Sequence, residues 1–202
     1  ITTYVHKDGC LRYVAQPLAV GFSPSNRDVP YVAAYDWDEV TDVTNGSRKV
    51  RRLTGSSDLR NLKTVLAYDG TPGVLRSTTT QGEITGDGGA DEATTTYFYN
   101  ADKHVIKTIL PSPLPGNTGR TQVVYATYPA VTGPVRDADG STLRADDYLY
   151  RHMPTKVSKY VVDGPVRNSA AEPAASDKVE ETKITYVEKV DGTMAAYALI
   201  GT

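Results

Sequence analysis

No stretch of ten or more residues in this chain places apolar side chains at i, i+3, i+4 and i+7 without Gly, Pro or a run of β-branched residues breaking it. A helical core needs that spacing to present one apolar stripe, so its absence removes the helical fold classes at the outset. Short runs rich in Val, Ile, Thr and Tyr recur instead, each bounded by Gly, Pro, Asn or Asp. Those side chains fit a pleated surface and those boundaries supply turns, so strands are predicted at 4–7, 11–16, 31–35, 49–53, 64–68, 95–99, 105–110, 121–128, 156–162, 182–190 and 193–199. Only 56–63 has the makings of a turn or two of helix, with Ser56, Ser57 or Asp58 as its cap. Asp8-Gly9, Asn45-Gly46, Asp69-Gly70 and Asp191-Gly192 each supply the positive φ angles of a tight hairpin turn. The expectation is an all-β fold, an antiparallel sandwich or meander of short strands joined by Asn-Gly and Asp-Gly hairpins, with at most one short helix.

At 202 residues the chain is long enough for one substantial core or two small ones. Its 22 basic residues against 24 acidic ones leave a net charge of -2, too balanced for general attraction to a phosphate backbone, so nucleic acid is not expected as a partner. Fourteen Tyr against two Phe and one Trp favour half-exposed sheets and interfaces, because Tyr joins an apolar ring to a hydroxyl that seeks a wet end. The single cysteine, Cys10, cannot close an internal disulfide; it reads as a small strand residue, with an intermolecular bridge as the alternative. No apolar run reaches the roughly 18 residues of a membrane helix, so no membrane span is expected. Numbering from Ile1 rather than Met suggests a removed upstream segment or a fragment, and removal is what export would do.

Composition divides the chain into a β domain at 1–162, with two sub-sheets possible around 111–119, a linker-like stretch at 163–178 rich in Ala, Pro and Ser, and a terminal hairpin or arm at 179–202. A terminal strand pair on a flexible tether is suited to docking on another subunit's sheet, although folding back on its own domain has the higher effective concentration. Tyr4, Val5, Tyr186, Val187, Tyr197 and Leu199 are the residues expected at such an assembly interface.

The phrase Ile1-Thr-Thr-Tyr-Val-His-Lys-Asp-Gly9 returns near the end as Ile184-Thr-Tyr-Val-Glu-Lys-Val-Asp-Gly192, and a looser variant begins at Thr95. Each is a strand, a tight turn and a returning strand. Tyr68-Asp69 with Gly73-Val-Leu-Arg76, and Tyr97-Phe-Tyr-Asn-Ala-Asp102 with Gly119-Arg120, give the chain a partial likeness: it resembles the YD-repeat (rearrangement-hot-spot) proteins, whose strands carry Tyr-x-Tyr-Asp-x-x-Gly-Arg units. The resemblance covers about a quarter of the chain and implies a β-hairpin module of a large shell built from many units. Asn100 stands where that family has Asp, most Gly-Arg pairs are missing, and no regular period of about twenty residues is visible in the sequence.

Candidates for chemistry are few. His6, His104 and His152 are the available bases, each beside a strand turn, with no Gly-x-Ser-x-Gly elbow and no spacing suited to a metal. Tyr35-Asp-Trp-Asp-Glu39 sets acids around an aromatic, as a sugar site requires, so Tyr35, Trp37 and Asp38 are candidate ligand-binding residues for a glycan. Period-two alternation offers the plainer account, with Tyr35 and Trp37 packing on one face and acids on the other. Asp137-Ala-Asp139-Gly140 followed by Asp146 resembles the opening of a calcium loop but lacks its later ligands. No catalytic residue is assigned and no cofactor is expected, calcium being the one ion considered. These readings together predict a structural subunit of an extracellular, cell-surface or virion assembly, partnered by copies of itself. The alternative is a carbohydrate-binding or YD-repeat-like module of a larger surface protein.

Overall fold

The computed structural model describes residues 1–23, 25–26, 31–42, 47–60, 62–70, 73–84, 91–112, 119–128, 153–162, 169–188 and 194–199, the last ten of these (185–188 and 194–199) through their backbone. The protein is all-β, with one 3-10 turn at Ala175–Asp177 as the sole helical element among the described residues. Its strands are β1 (Thr3–Lys7), β2 (Cys10–Ala15), β3 (Val32–Asp42), β4 (Arg48–Ser57), β5 (Lys63–Asp69), β6 (Val74–Gly82), β7 (Asp91–Tyr99), β8 (Val105–Ile109), β9 (Thr121–Thr127), β10 (Lys156–Val162), β11 (Lys178–Glu188) and β12 (Met194–Leu199). Each strand neighbours the one before it in sequence, the order of a meander. Asp8 and Gly9 turn β1 into β2 with φ of 53° and 77°, both positive as a primed two-residue turn demands, and Lys7 pairs directly with Cys10.

Eleven of the twelve strands overlap predicted ones. The exception is β6, whose Ser-Thr-Thr-Thr-Gln run has no apolar alternation to betray it. It is held from both sides, Thr80 pairing with Thr64 and Ala93, and the Thr79 and Thr94 hydroxyls meeting at 2.9 Å. The helix considered at 56–63 does not form. Ser56 and Ser57 close β4, where pairing with Thr64 and Lys63 takes their backbone, and Asp58 caps a tight turn instead.

The odd strands β1, β3, β5, β7 and β9 begin at residues 3, 32, 63, 91 and 121, so successive strand pairs start 29, 31, 28 and 30 residues apart. This period of a strand pair plus its connection is carried by backbone and not by repeated residue identities. The connection at 128–155 interrupts it before β11 at 178.

Two compact units, Ile1–Thr96 and Tyr97–Thr202, divide the chain within β7. In the first, Ala15, Val32 and Ala34 are the buried apolar side chains among the described residues, and the Tyr13 and Phe22 rings meet edge to face with centres 5.9 Å apart. In the second, Ile109, Val123 and Tyr160 form the core, with Phe98, Tyr125 and Val162 against it. Register explains that cluster, since Val123 pairs with Ile109 on one side and Tyr160 on the other, aligning three side chains on one face. Tyr125 brings Lys107 and Ser158 onto the same face in the next row.

Residues 169–177 lie across those rows. The Lys107 ammonium, 1% exposed, donates to the Ser169 and Ala171 carbonyls at 3.0 and 2.9 Å and sits 5.7 Å from the Phe98 ring centre. Glu172 accepts from the Tyr160 hydroxyl and from Lys156 at 3.3 Å. The stretch expected to be linker-like thus contains a strap anchored over β8–β10.

Candidate functional site

The Tyr35–Glu39 cluster runs along the middle of β3, well inside a strand of eleven residues. Alternation puts Tyr35, Trp37 and Glu39 on one face and Asp36 and Asp38 on the other. A bulge between Asp36 and Trp37 adjusts the pairing, so that Trp37 opposes Leu53, Asp38 opposes Arg52 and Glu39 opposes Arg51. Trp37 is half-buried and its indole donates to the Leu11 carbonyl at 2.9 Å, tying β3 to β2. Asp38 pairs with Arg52 at 3.3 Å, and Glu39 with Lys49 at 2.6 Å and Arg51 at 3.7 Å. The Lys49 hydrogen bond and charge hold the Glu39 carboxyl below its usual range. Asp38 and Glu39 are therefore committed to basic residues of β4, and Asp38 is on the opposite face from the aromatic rings.

Tyr35, by contrast, lines a cleft of about 420 Å³ on its face of the sheet, together with Val14, Gln16, Ala33, Ser56, Leu59, Leu62 and Thr64. The register builds the floor, because Tyr35 pairs with Ser56 and Ser56 with Thr64, placing one ring and two hydroxyls in a single row. The β4–β5 turn builds the rim. One Asp58 oxygen accepts from the Arg60 and Leu62 amides at 2.8 and 3.0 Å, and the other from the Arg60 guanidinium at 3.1 and 3.0 Å. Burial pushes the Asp58 carboxyl up, but these bonds outweigh it and hold the group below its usual range. The Leu59 carbonyl accepts from the Tyr31 amide at 3.0 Å, so Leu59 stands at the rim on a fixed backbone while remaining 40% exposed. A smaller cavity of about 200 Å³ lies by Ala34, Asp36, Gly55 and Val65.

Of the residues expected at an assembly interface, Tyr4 in β1 is 63% exposed and Val5, half-buried, pairs with Tyr13. Tyr186 and Val187 lie in β11 opposite Ala196 and Ala195, while Tyr197 and Leu199 lie in β12 opposite Thr185 and Lys183. The candidate calcium residues Asp137, Asp139 and Asp146, together with His152, Asn45-Gly46 and Asp191-Gly192, lie outside the described residues. Among the described residues no three His, Cys, Asp or Glu side chains gather as metal ligands would, and no helix is long and apolar enough to cross a membrane.

His104 belongs to the turn after β7. Its amide donates to the Asn100 side-chain carbonyl at 2.9 Å, its ring stacks on Tyr128 at 4.5 Å, and the Tyr128 hydroxyl donates to the Val105 carbonyl at 3.2 Å. Burial raises the Tyr128 phenol above its ordinary pKa. The Tyr99-Asn100 step thus initiates a side-chain-capped turn, much as Asp58 does between β4 and β5. Sequence reasoning missed both Lys107 and Gln16. The signal for Lys107 was its place between Val105 and Ile109 on one strand face; Gln16 had none, since it ends a strand that reads as surface. No family model matches the chain, and no relative is found among curated proteins.

Proposed function

We propose that the protein is a structural β-sheet subunit, which works by joining copies of itself into a larger assembly such as a filament, pilus-like fibre, capsid or tail component. The observation that carries this reading is how little the described part of the sheet buries: from β1 to residue 184 of β11, Ala15, Val32, Ala34, Ile109, Val123 and Tyr160 are the buried apolar side chains among the described residues. A sheet becomes stable by covering at least one face, and obligate assemblies cover it with another subunit. On β5 the alternate side chains Lys63, Val65, Ala67 and Asp69 are exposed, Val65 at 45%, and Val179 on β11 is exposed at 62%. Among the described residues β1 pairs on one side alone, with β2, and has Tyr4 exposed and no Pro to block further pairing. Such subunits belong to cell surfaces, extracellular fibres and virions, the setting proposed here.

A second reading, a YD-repeat-like module of a larger surface protein, is favoured by the side-by-side antiparallel strand pairs and by the Tyr-Asx steps at Tyr68-Asp69 and Tyr99-Asn100. Negative-stain microscopy of the purified chain with light scattering tests the leading reading. Filaments, rings or shells are expected, and Tyr4→Lys, which puts a charge on the β1 edge, is expected to reduce them. Monodisperse single subunits in every field would overturn it.

A further inference from the structure

The cleft at Tyr35 has no part in the assembly reading, and its chemistry is unlike the rest of the sheet surface. Five uncharged polar residues line it, Gln16, Tyr35, Ser56, Ser57 and Thr64, and none of their side chains hydrogen-bonds to another described residue. Elsewhere on β3 and β4, Asp38, Glu39, Lys49, Arg51 and Arg52 are spent on cross-strand ion pairs. The one charged group beside the cleft, Asp58, has both oxygens occupied by its own turn and its charge matched by Arg60. What remains is a phenol, three aliphatic hydroxyls and an amide, with Val14, Leu59 and Leu62 supplying apolar walls.

We propose that this cleft binds a neutral saccharide of one or two rings. A pyranose has the complementary make-up: an apolar C–H face to lie against Tyr35 and Leu59, and hydroxyls that both donate and accept. Ser56, Thr64 and the Gln16 amide likewise both donate and accept, which an anionic ligand would not need and a purely apolar one would leave unsatisfied. The volume of about 420 Å³ falls within the range of small-molecule clefts, roughly 300–1,000 Å³. Leu59 is held at the rim by the Asp58 turn and the Tyr31 amide before any ligand arrives, so little ordering cost attends binding. The site differs from the one the sequence suggested: Tyr35 is retained, while Trp37 is tied to Leu11 and Asp38 is on the far face.

Calorimetric titration of the full chain with cellobiose, lactose and N,N′-diacetylchitobiose tests this, and it reads binding whether the chain is single or assembled. Saturable binding of at least one of the three is expected, weakened tenfold or more in Tyr35→Ala and in the near-isosteric Thr64→Val, and unchanged in Trp37→Phe. No saturable heat with any of them would overturn the proposal, as would binding that both cleft variants leave intact, or tighter binding of glucose 6-phosphate than of the neutral sugars.

Discussion

Glu172 shows how a single residue decides whether a stretch of chain is tether or structure. Its carboxylate joins the strap at 169–177 to Tyr160 and Lys156, beside the Lys107 ammonium that holds Ser169 and Ala171. The Tyr160 hydroxyl, then Lys156, keep the Glu172 carboxyl below its ordinary pKa of 4.5 against the opposing effect of burial. A group with a depressed pKa in the folded chain contributes stability that is fully present above its unfolded value and is lost as the pH falls through the folded one. Glu172→Gln is therefore expected to lower stability at neutral pH, with the gap to the unaltered chain closing as the pH drops below 4.5. Denaturant unfolding across that range checks it; a gap independent of pH would contradict the assignment. Lys107 works in the opposite sense, since burial pushes its pKa down and disfavours its charged form. That a buried lysine could clamp the strap was only half legible in the sequence. Alternation placed it with Val105 and Ile109, but the carbonyls that receive it come from more than sixty residues away.

Among elements, turns were the most legible and connections the least. Asp8-Gly9 turns where its residue types require, because few other side chains tolerate the positive φ, while at Asp69-Gly70 only Gly70 takes a positive φ and Asp69 ends β5. Gly73 shares the β5–β6 turn with φ of 87°, and a Cβ there would lie 2.5 Å from the Gly70 carbonyl oxygen. Gly73→Ala is expected to destabilise the protein by about 1–3 kcal/mol, measured by thermal unfolding, through strain at a backbone that cannot move aside. Strand β6 escaped notice because Thr fits a pleat without marking a face, and the helix considered at 56–63 failed because β5 competes for the backbone of Ser56 and Ser57. The cluster around Trp37 was legible as alternation, yet its salt bridges with Lys49, Arg51 and Arg52 depend on the register of β3 against β4, which a bulge sets and no local pattern announces. The cleft is a product of that register too, since Ser56 and Thr64 reach Tyr35 only by cross-strand pairing.

Over the whole molecule the governing fact is a meander whose strands are paired edge to edge but thinly covered on their faces. Where strand pairs start at near-constant intervals and touch their sequence neighbours, burial grows by adding units or partners. The strap over β8–β10 is a local cover supplied by the chain itself, and it coincides with the best-buried residues of the second unit, Val123, Ser158 and Tyr160. Sedimentation velocity over a wide concentration series tests the central claim most directly, because an under-covered sheet that assembles must do so by mass action. The account predicts a weight-average sedimentation coefficient that climbs with concentration, and a smaller climb for Tyr4→Lys. A single species sedimenting at the mass of one 21.8 kDa chain at every concentration would contradict it.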